Sequence, residues 1–597
     1  MIRWKIVTFA AMLTGFAATA GFYDLGFERW PLHGIDNGQP VHFQLTDVEG
    51  CFKYQMLGWL DQRYGYAWTV CREHLDQYDA LSGFQLRSHA ILGSGLVGML
   101  ALFGFALAIR FDPRPPKVVR GARLHAGSAG LRQFARACRR ECKVHGPGVA
   151  LIEPYALSRD RETRHFLVLG SVGGGKTQTM LNLMNGPLCR GDGLLVLDTK
   201  ADMMAGLPAR PEPLLVAPHD RRSLVWDVAA DCQVKQDARE LAARFIPPST
   251  DPMWSHAAQE IFVGCVVHLQ ATRGQDWGWV DLEQAVTADT EVLTQYARDH
   301  NPTAVRLLHQ PDSKTTVSIL STFQTHMRIV SVLAEAWPDG GCRRFSIRRW
   351  LHNPPSQCPL ILQHDPGYPE LSRVWIGSML GLLASAVGSP SLAESKDRRI
   401  WMFLDEFPQL PAIQHFPTFL ELGRSKGIAV VIGAQDTAQI RAVYGPDQAK
   451  SWFGMVGTKI ITRVNASEAA EDLSRLIGDQ EVERVVRTVS RAGGRSHVTE
   501  TVRREIRRVV TASELASRLG PAKRGVRVLF LGLNENIYEL ELPYITLPKL
   551  REPTAPADWT KTPPSDAPPD GNGSNGGRSR PQVLSAGQAA RVLRSGE

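Results

Sequence analysis

The stretch Gly170-Ser171-Val172-Gly173-Gly174-Gly175-Lys176-Thr177 fills every fixed position of the phosphate-binding pattern GxxxxGK[ST]. The apolar run 165–169 precedes it and the helix-compatible sequence QTMLNLM follows it, so it joins a predicted strand to a predicted helix. Glycines let successive backbone N–H groups point at phosphate oxygens, and the helix N-terminus adds favourable dipole charge. The pattern therefore predicts that a nucleoside triphosphate binds here, with Lys176 on the β- and γ-phosphates and Thr177 on Mg²⁺.

A pair of carboxylates follows a second predicted strand. The apolar run 399–404 (RIWMFL) ends in Asp405 and Glu406. Open α/β sheets place their ligands at the carboxyl ends of strands, so we expect Asp405 to hold Mg²⁺ through its water shell and Glu406 to polarise the attacking water. Acidic pairs at strand ends also cap helices in many proteins, and it is the complete phosphate loop that favours the catalytic interpretation.

Two more candidates lie around a third predicted strand, GIAVVIG at 427–433. Gln435 follows this strand, and its side-chain amide can sense the γ-phosphate. Arg424 precedes the strand and is a candidate arginine finger, delivered to the nucleotide of a neighbouring subunit. The alternative for Arg424 is a solvated surface arginine, since charges at helix ends are usually solvated.

These motifs resemble, in order and approximate spacing, those of the TraD/TraG-type coupling ATPases of type IV secretion and conjugation systems. The resemblance rests on the phosphate loop, LDEFP at 404–408, GRSKGI at 423–428 and AQD at 434–436. LLVLDTK at 194–200 is also similar to the family's second strand and its Asp-x-Lys turn. The similarity covers about residues 1–545, and LDEFP with the downstream glutamine is more specific than the phosphate loop.

The resemblance implies a RecA-like or FtsK-like P-loop NTPase that works as a homo-hexameric motor with ATP and Mg²⁺. It implies that the motor binds single-stranded, relaxase-bound DNA and feeds it to the secretion channel. The expected partners are therefore DNA, the relaxase and relaxosome proteins, the channel proteins and the inner membrane. By position, the nucleotide-site roles fall to Lys176, Thr177, Asp405, Glu406, Arg424 and Gln435.

The sequence also predicts a membrane region. Residues 90–109 form an unbroken apolar run of the length that crosses a bilayer, and the excess of lysine and arginine after it places the following chain in the cytoplasm. An earlier apolar run, about 6–23, is either a second membrane helix or a cleaved signal peptide. Both alternatives leave Cys51 and Cys71 outside the cytoplasm, where a disulfide is permitted but its geometry is undetermined.

The distribution of strand and helix patterns predicts an α/β protein. Strand runs that alternate with helices signal a parallel sheet covered on both faces, whereas 231–340 shows helical periodicity typical of an all-α insertion, or of further helices of the same domain. The predicted organisation is a membrane region at 1–120, a RecA-like nucleotide-binding domain at 151–230 and 341–550, the insertion at 231–340 and a tail at 551–597. Proline, glycine, serine and aspartate dominate the tail, which predicts disorder.

Overall charge leaves the nature of the partner open. With 68 basic and 60 acidic residues, the net charge of +8 over 597 residues permits DNA binding without requiring it. A rival interpretation from a different class is a membrane-anchored docking receptor whose nucleotide site governs assembly, with little translocase activity. The presence of Asp405, Glu406 and Arg424 together favours turnover.

Overall fold

A computed structural model describes most of the chain in two compact units. It describes residues 12–21, 29, 31–58, 61–108, 117–209, 212–308, 313–338, 343–413, 415–492 and 495–561. One unit is built from Met1–Pro116 and Arg484–Thr501, and the other from Lys117–Glu483 and Val502–Glu597.

The first unit contains a small hairpin and a set of helices. The hairpin pairs His33–Asp36 with Gln39–His42 in antiparallel register. The helices are Leu45–Leu57, Gln62–Gln77 and Leu81–Ala108, and residues 12–21 are also helical. Cys51 and Cys71 form a disulfide that ties the first two helices together, with their Cα atoms 5.7 Å apart.

The helix Leu81–Ala108 covers residues 90–108 of the predicted membrane segment and begins nine residues before it. The extra turns form because Phe84 is buried in the core of this unit beside Leu32, Val48 and Leu75, which anchors the start of the helix. Residues 81–104 are long and apolar enough to cross a membrane, and only 17% of the apolar window is buried. The last predicted position, 109, lies outside the described residues.

The helical residues 12–21 pack closely against the long helix through glycines. A Cβ atom at Gly95 would lie 2.2 Å from the Thr19 hydroxyl oxygen, and one at Gly15 would lie 3.1 Å from the Gly95 carbonyl oxygen. Small residues at such a contact let two apolar helices approach, as in membrane helix pairs. The remainder of the predicted helix 6–23 lies outside the described residues.

The second unit is organised around an eleven-stranded sheet. The strands, from one edge to the other, are Leu124–His125, Ile537–Pro543, Gly525–Leu531, Thr458–Ile461, Phe166–Leu169, Ile428–Ala434, Ile400–Leu404, Gly193–Asp198, Leu360–Gln363 and Leu214–Val216, with Gly520–Pro521 paired to Gly525–Leu531. From Thr458–Ile461 to Leu214–Val216 all neighbours are parallel, whereas Gly525–Leu531 is antiparallel to both of its path neighbours. The predicted parallel sheet is therefore present, and an antiparallel portion extends it.

The central strands are buried on both faces, which explains their continuous apolar sequences. Along Phe166–Leu169, Leu167 and Leu169 belong to one hydrophobic cluster, while Phe166 and Val168 belong to another. This alternation follows the two-residue period of a strand. Layers of helices therefore cover both faces of the sheet, as the α/β prediction requires.

The helices of this unit connect the strands and cover the sheet. They are Gly127–His145, Arg159–Glu162, Lys176–Arg190, Asp202–Gly206, Val228–Asp231, Lys235–Phe245, Pro252–Arg273, Trp279–Val286, Thr290–His300, Pro302–Leu308, Lys314–Ala336, Ile347–His352, Pro369–Gly388, Pro417–Glu421, Thr437–Tyr444, Pro446–Met455, Glu468–Ile477 and Ala512–Ser517, with 3-10 turns at Phe407–Gln409 and Asp558–Thr560. Smaller sheets pair Pro147–Ile152 with Tyr155–Ser158, Val225–Trp226 with Arg344–Phe345, and Lys117–Gly121 with Asp479–Ala492, which in turn neighbours Arg495–Arg508.

In the segment 231–340, which was predicted to be an all-α insertion, the regular elements described from Lys235 to Ala336 are all helices. This segment does not have a core of its own. Its residues Phe262 and Phe323 belong to the same buried cluster as Leu167 and Leu404 of the central strands. The helix Pro369–Gly388 lies in this shared core with 83% of its apolar window buried, so its apolar length reflects packing inside the protein.

The predicted disorder from residue 551 onward is wrong for residues 551–561. The Arg551 side chain donates to the Met204 carbonyl at 3.0 Å, the Ala555 N–H donates to Asp220 at 2.7 Å, and the Trp559 indole donates to the Pro218 carbonyl at 2.7 Å. These hydrogen bonds anchor a proline-rich segment that composition alone would leave unpaired. Residues 562–597 lie outside the described part of the chain.

Candidate nucleotide-binding site

The phosphate loop has a backbone that only glycine accepts at several positions. Gly173 and Gly175 have φ angles of 69° and 103°, in the left-handed region that L side chains rarely adopt. A Cβ atom at Gly170 would lie 1.8 Å from the hydroxyl oxygen of Thr462. The glycines therefore allow both the sharp turn and the close approach of the neighbouring strand.

Lys176 begins the helix Lys176–Arg190 and its ammonium is buried at the mouth of the loop. Nζ donates to the Gly170 carbonyl at 2.9 Å and lies 3.2 Å from Oε1 of Glu406. The ammonium thus lies between the loop backbone and the carboxylate that ends another strand. Phosphate oxygens in the loop would lie within its reach.

Thr177 and Asp405 meet across the same edge of the sheet. The Thr177 hydroxyl donates to Oδ2 of Asp405 at 3.4 Å, and the Glu406 N–H donates to Oδ1 at 2.9 Å. Burial raises the pKa of Asp405, and the neighbouring Glu406 carboxylate raises it further. A hydroxyl and a carboxylate in this arrangement are the hard oxygen ligands that Mg²⁺ prefers, so both residues fit a magnesium site.

Glu406 and Gln435 complete this cluster. Glu406 has a φ of 50°, an unusual backbone conformation for a residue with a side chain. Its Oε2 accepts a hydrogen bond from the Gln435 amide at 3.3 Å. Gln435 directly follows the strand Ile428–Ala434. Asp405 and then Glu406 follow the strand Ile400–Leu404. The parallel strands thus bring the sequence-predicted residues together at their carboxyl ends.

Arg424 is the one sequence-predicted site residue that lies away from this cluster. It precedes the strand Ile428–Ala434, whereas Gln435 follows it, and seven residues of strand span about 20 Å. Its guanidinium donates to Asp160 at 2.8 Å and its side chain is 55% exposed. Burial alone would raise the pKa of Asp160, but hydrogen bonds from Arg424 and Arg164 lower it. Within one subunit, Arg424 is therefore at the amino-terminal edge of the sheet.

His165 stabilises this amino-terminal edge. The sequence did not indicate this role, because His165 stands at the start of a predicted apolar strand. Its Nδ1 accepts from the Val430 N–H at 3.2 Å, so the proton resides on Nε2, which faces the Leu420 carbonyl at 3.2 Å. Burial lowers the pKa of His165 to about 4, and the nearby charge of Arg424 also lowers it. The imidazole is therefore a neutral, buried link between two chain segments.

Two further residues at the carboxyl-terminal edge were missed as site candidates. Asp198 ends the strand Gly193–Asp198 and shares a small cavity with Thr177, Lys200 and Asp405. Arg463 follows the strand Thr458–Ile461, and its carbonyl accepts the Ser171 N–H of the loop at 2.9 Å. The sequence signal available for both residues was their position near a strand end. Many residues share that position, and only the strand order shows which of them lie beside the phosphate loop.

Sequence comparisons identify related proteins. A family model described as the type IV secretion-system coupling protein DNA-binding domain matches residues 150–537. The coupling protein TraD of Escherichia coli strain K12 is 26% identical over 333 residues, which cover 54% of this chain and 45% of TraD. The conjugal transfer protein TraG of Rhizobium radiobacter is 31% identical over 117 residues, or 19% of this chain and 17% of TraG. The matched part thus spans less than half the length of these relatives.

Structural comparisons show the same fold. The plasmid coupling protein TrwB in complex with ADP and Mg²⁺ has a TM-score of 0.61 and 22% identity, covering 75% of this chain and 100% of TrwB. TrwB with the ATP analogue ADPNP has a TM-score of 0.60 at 22% identity, covering 75% and 99%. The expected RecA-like fold is thereby confirmed. Because the family model spans well over half of the chain, this protein belongs to the type IV secretion-system coupling proteins, the TraD/TraG family that its motifs resemble.

Proposed function

We propose that this protein is an inner-membrane coupling ATPase of a type IV secretion or conjugation system. It binds ATP and DNA, recruits single-stranded DNA bound to a relaxase, and moves that DNA to the secretion channel. The observation that carries this proposal is the convergence of Lys176, Thr177, Asp405, Glu406 and Gln435 at one edge of the sheet, in a chain that belongs to the coupling-protein family.

The nucleotide would be held by the loop Gly170–Thr177. Its backbone N–H groups and the Lys176 ammonium bind phosphate oxygens, while Thr177 and Asp405 hold Mg²⁺. When bound, Mg²⁺ supplies positive charge to the β- and γ-phosphates. The related TrwB structures contain ADP with Mg²⁺ or an ATP analogue, which supports these ligands for the present site.

Glu406 is suited to act on the attacking water. The Lys176 ammonium contacts Oε1 of Glu406 at 3.2 Å. Phosphate oxygens of a bound nucleotide would compete for this ammonium and so free Oε1. The freed carboxylate accepts a proton as the water oxygen bonds to the γ-phosphorus and the bond to the β,γ-bridging oxygen breaks. Gln435 keeps Glu406 in place through its contact with Oε2 and can report the state of the γ-phosphate.

Arg424 would act on the nucleotide of an adjacent subunit in a homo-hexamer. It lies too far from the loop of its own subunit, yet its guanidinium is half exposed at the opposite edge of the sheet. Asp160 fixes one of its N–H groups and leaves others available to the developing charge on a γ-phosphate. A ring would bring the two edges of neighbouring subunits together, which supports the expected hexamer.

The chain would be anchored by the helix at Leu81–Gly104, with its catalytic unit in the cytoplasm. The basic residues that follow this helix favour that orientation, and the Cys51–Cys71 disulfide favours a periplasmic position for the preceding segment. A reporter that is active only in the periplasm should work when inserted between residues 34 and 85 and fail after Leu151. Activity at both positions would contradict this topology.

A nucleotide-gated docking receptor with little translocase activity remains the second candidate. Both candidates would bind the relaxase, relaxosome proteins and secretion channel. The intact Asp405 and Glu406 pair favours turnover, because a receptor needs nucleotide binding but no activated water.

DNA-stimulated hydrolysis separates the two functions. The detergent-solubilised full chain should hydrolyse ATP faster with single-stranded DNA, and a cell that lacks the gene should transfer a marked element only when the intact gene is restored. Lys176→Ala serves as the matched inactive control in both assays. If the intact gene restores transfer and the protein binds ATP without hydrolysing it, the docking receptor becomes the better-supported function.

A further inference from the structure

The phosphate loop has two flanks that differ in chemistry. Its strand, Phe166–Leu169, lies between the parallel strands Ile428–Ala434 and Thr458–Ile461. On the first flank the strands end in Gln435 and the Asp405–Glu406 pair. On the second flank the strand continues into Thr462 and Arg463. The residues that would carry out hydrolysis thus lie on one side of the loop, and a cation lies on the other.

Arg463 contacts the loop with both its backbone and its side chain. Its carbonyl accepts the Ser171 N–H at 2.9 Å, and its guanidinium Nη2 donates to the Gly173 carbonyl at 3.3 Å. Two residues later, the Asn465 N–H donates to the Ser171 hydroxyl at 2.8 Å. These bonds hold the guanidinium at the rim of the loop.

The antiparallel part of the sheet supports Arg463 from behind. Gly520 has a φ of 94°, and a Cβ atom there would lie 2.7 Å from Cβ of Arg463 and 3.4 Å from the Gly174 carbonyl. A Cβ atom at Gly175 would lie 2.4 Å from the Val526 side chain. The arginine is therefore confined between the loop and this second layer of backbone, with its stem held in place.

In the part of the chain that the structure describes, no carboxylate pairs with Arg463. Lys176 faces Glu406 and Arg424 faces Asp160, whereas within the described residues the Arg463 guanidinium forms no ion pair. Its hydrogen-bond acceptor there is a neutral loop carbonyl. A planar guanidinium offers several donors that match phosphate oxygens, so an anion in the loop would be a stronger partner than this carbonyl.

We propose that Arg463 binds nucleotide phosphate within its own subunit, as a positioning residue separate from the arginine expected from the neighbouring subunit. This inference rests on the proposed nucleotide-binding function. Because Arg463 lies on the flank away from Glu406, it contacts phosphate that is present in both ATP and ADP. Such uniform binding strengthens the affinity for both nucleotides and lowers KM without raising kcat.

The test compares Arg463→Gln with Arg463→Lys in the full-length protein in detergent. Glutamine removes the charge and keeps a shorter, neutral amide donor, and lysine keeps the charge without the planar donors. Arg373→Gln is the matched control, because Arg373 is exposed and pairs with the exposed Glu370. Calorimetry with Mg²⁺ and either ADP or ADPNP gives Kd, and steady-state hydrolysis gives kcat and KM.

We expect Arg463→Gln to raise Kd for ADP and ADPNP by a similar factor of about ten or more, since a hydrogen bond to a charged group is lost. Its KM should rise in proportion, kcat should stay within about twofold, and Arg463→Lys should recover part of the affinity. Gly520→Ala should weaken both ligands in the same direction, because the new methyl group displaces Arg463 without removing its charge.

Three results would overturn the inference. They are an unchanged Kd for ADP in Arg463→Gln, a loss confined to ADPNP, and a fall in kcat at unchanged KM. Thermal unfolding of Arg463→Gln without nucleotide should match that of the wild type, which excludes a fold defect in this variant. If the wild type binds neither nucleotide, the proposed function itself fails. If Lys176→Ala abolishes binding while Arg463→Gln does not weaken it, only the role of Arg463 is refuted.

Discussion

The two edges of the central sheet use their charged residues in different ways. At the carboxyl-terminal edge, Lys176 and Glu406 are both buried and contact each other at 3.2 Å. At the amino-terminal edge, Arg424 is half exposed and is paired with Asp160. Burial and mutual contact mean that the first edge is assembled within one subunit. The second edge presents a cation whose chemical role depends on what covers it.

The largest effect is expected at the buried edge, from Lys176→Ala. Removal of the ammonium leaves phosphate charge uncompensated and Glu406 without its cationic partner. Nucleotide binding, ATP hydrolysis and DNA transfer should all fall to background, while membrane insertion persists because the first unit has its own core. Binding, hydrolysis and membrane fractionation measure these outcomes. Wild-type turnover by the variant would remove Lys176 from the site.

Glu406→Gln should separate binding from chemistry at the same edge. The amide keeps the shape of the side chain and can still contact Lys176, but it cannot accept a proton from water. ATP should bind with near wild-type affinity, and hydrolysis should fall by up to about ten thousandfold. Parallel measurement of Kd and kcat checks this. Loss of nucleotide binding in this variant would give Glu406 a structural role.

Arg424→Ala should show whether the exposed edge acts across subunits. We expect hydrolysis to fall about a thousandfold in assembled protein, because an arginine finger supplies charge to the transition state. Mixing Arg424→Ala with Lys176→Ala subunits should restore some activity, since some interfaces then combine an intact loop with an intact Arg424.

Asp160→Asn is the matched control for this experiment. It removes the ion pair but keeps the arginine, so its effect on hydrolysis should be much smaller than that of Arg424→Ala. No recovery in rings that are shown to be mixed would argue against action between subunits.

The smallest effect is expected from His165, which joins the amino-terminal edge to its neighbours. Its pKa is about 4 in the folded protein against 6.5 ordinarily, because burial disfavours the charged ring. This contribution to stability is fully present above pH 6.5 and is lost as the pH falls, by about 3 kcal/mol near pH 4. The free energy of unfolding measured with urea should therefore fall more steeply from pH 6.5 to pH 4 in the wild type than in His165→Gln. An equal pH dependence of the unfolding free energy in the two proteins would refute this role of His165.

Several of the site residues proposed from the sequence were placed without knowledge of the strand order. Asp405, Glu406 and Gln435 directly follow apolar strands, and Lys176 and Thr177 follow the loop after another. Parallel strands bring such ends to one edge whatever their order. Arg463 is also near a strand end, but its significance depends on Thr458–Ile461 being the neighbour of the loop strand. That adjacency comes from pairing between distant segments, which local patterns do not encode.

Residues 551–561 also show that local sequence patterns do not encode contacts with distant segments. Proline-rich composition correctly indicates that the segment has little regular structure of its own, yet it does not exclude binding to the rest of the chain. The Asp220 carboxylate and the Pro218 carbonyl, more than 300 residues earlier in the sequence, receive its Ala555 N–H and its Trp559 indole. Tertiary contact supplies the stabilisation that local sequence lacks.

By itself, the sequence determined the phosphate-loop pattern, the class of fold and the long apolar segment at 90–109, because these depend on residue type and local period. Tertiary structure decided which apolar helix is exposed: 17% of the window is buried in Leu81–Gly104 and 83% in Pro369–Gly388. It also decided that Arg424 faces away from its own loop and that Cys51 meets Cys71. Hydropathy measures how apolar a segment is, whereas burial depends on what the rest of the chain packs against it.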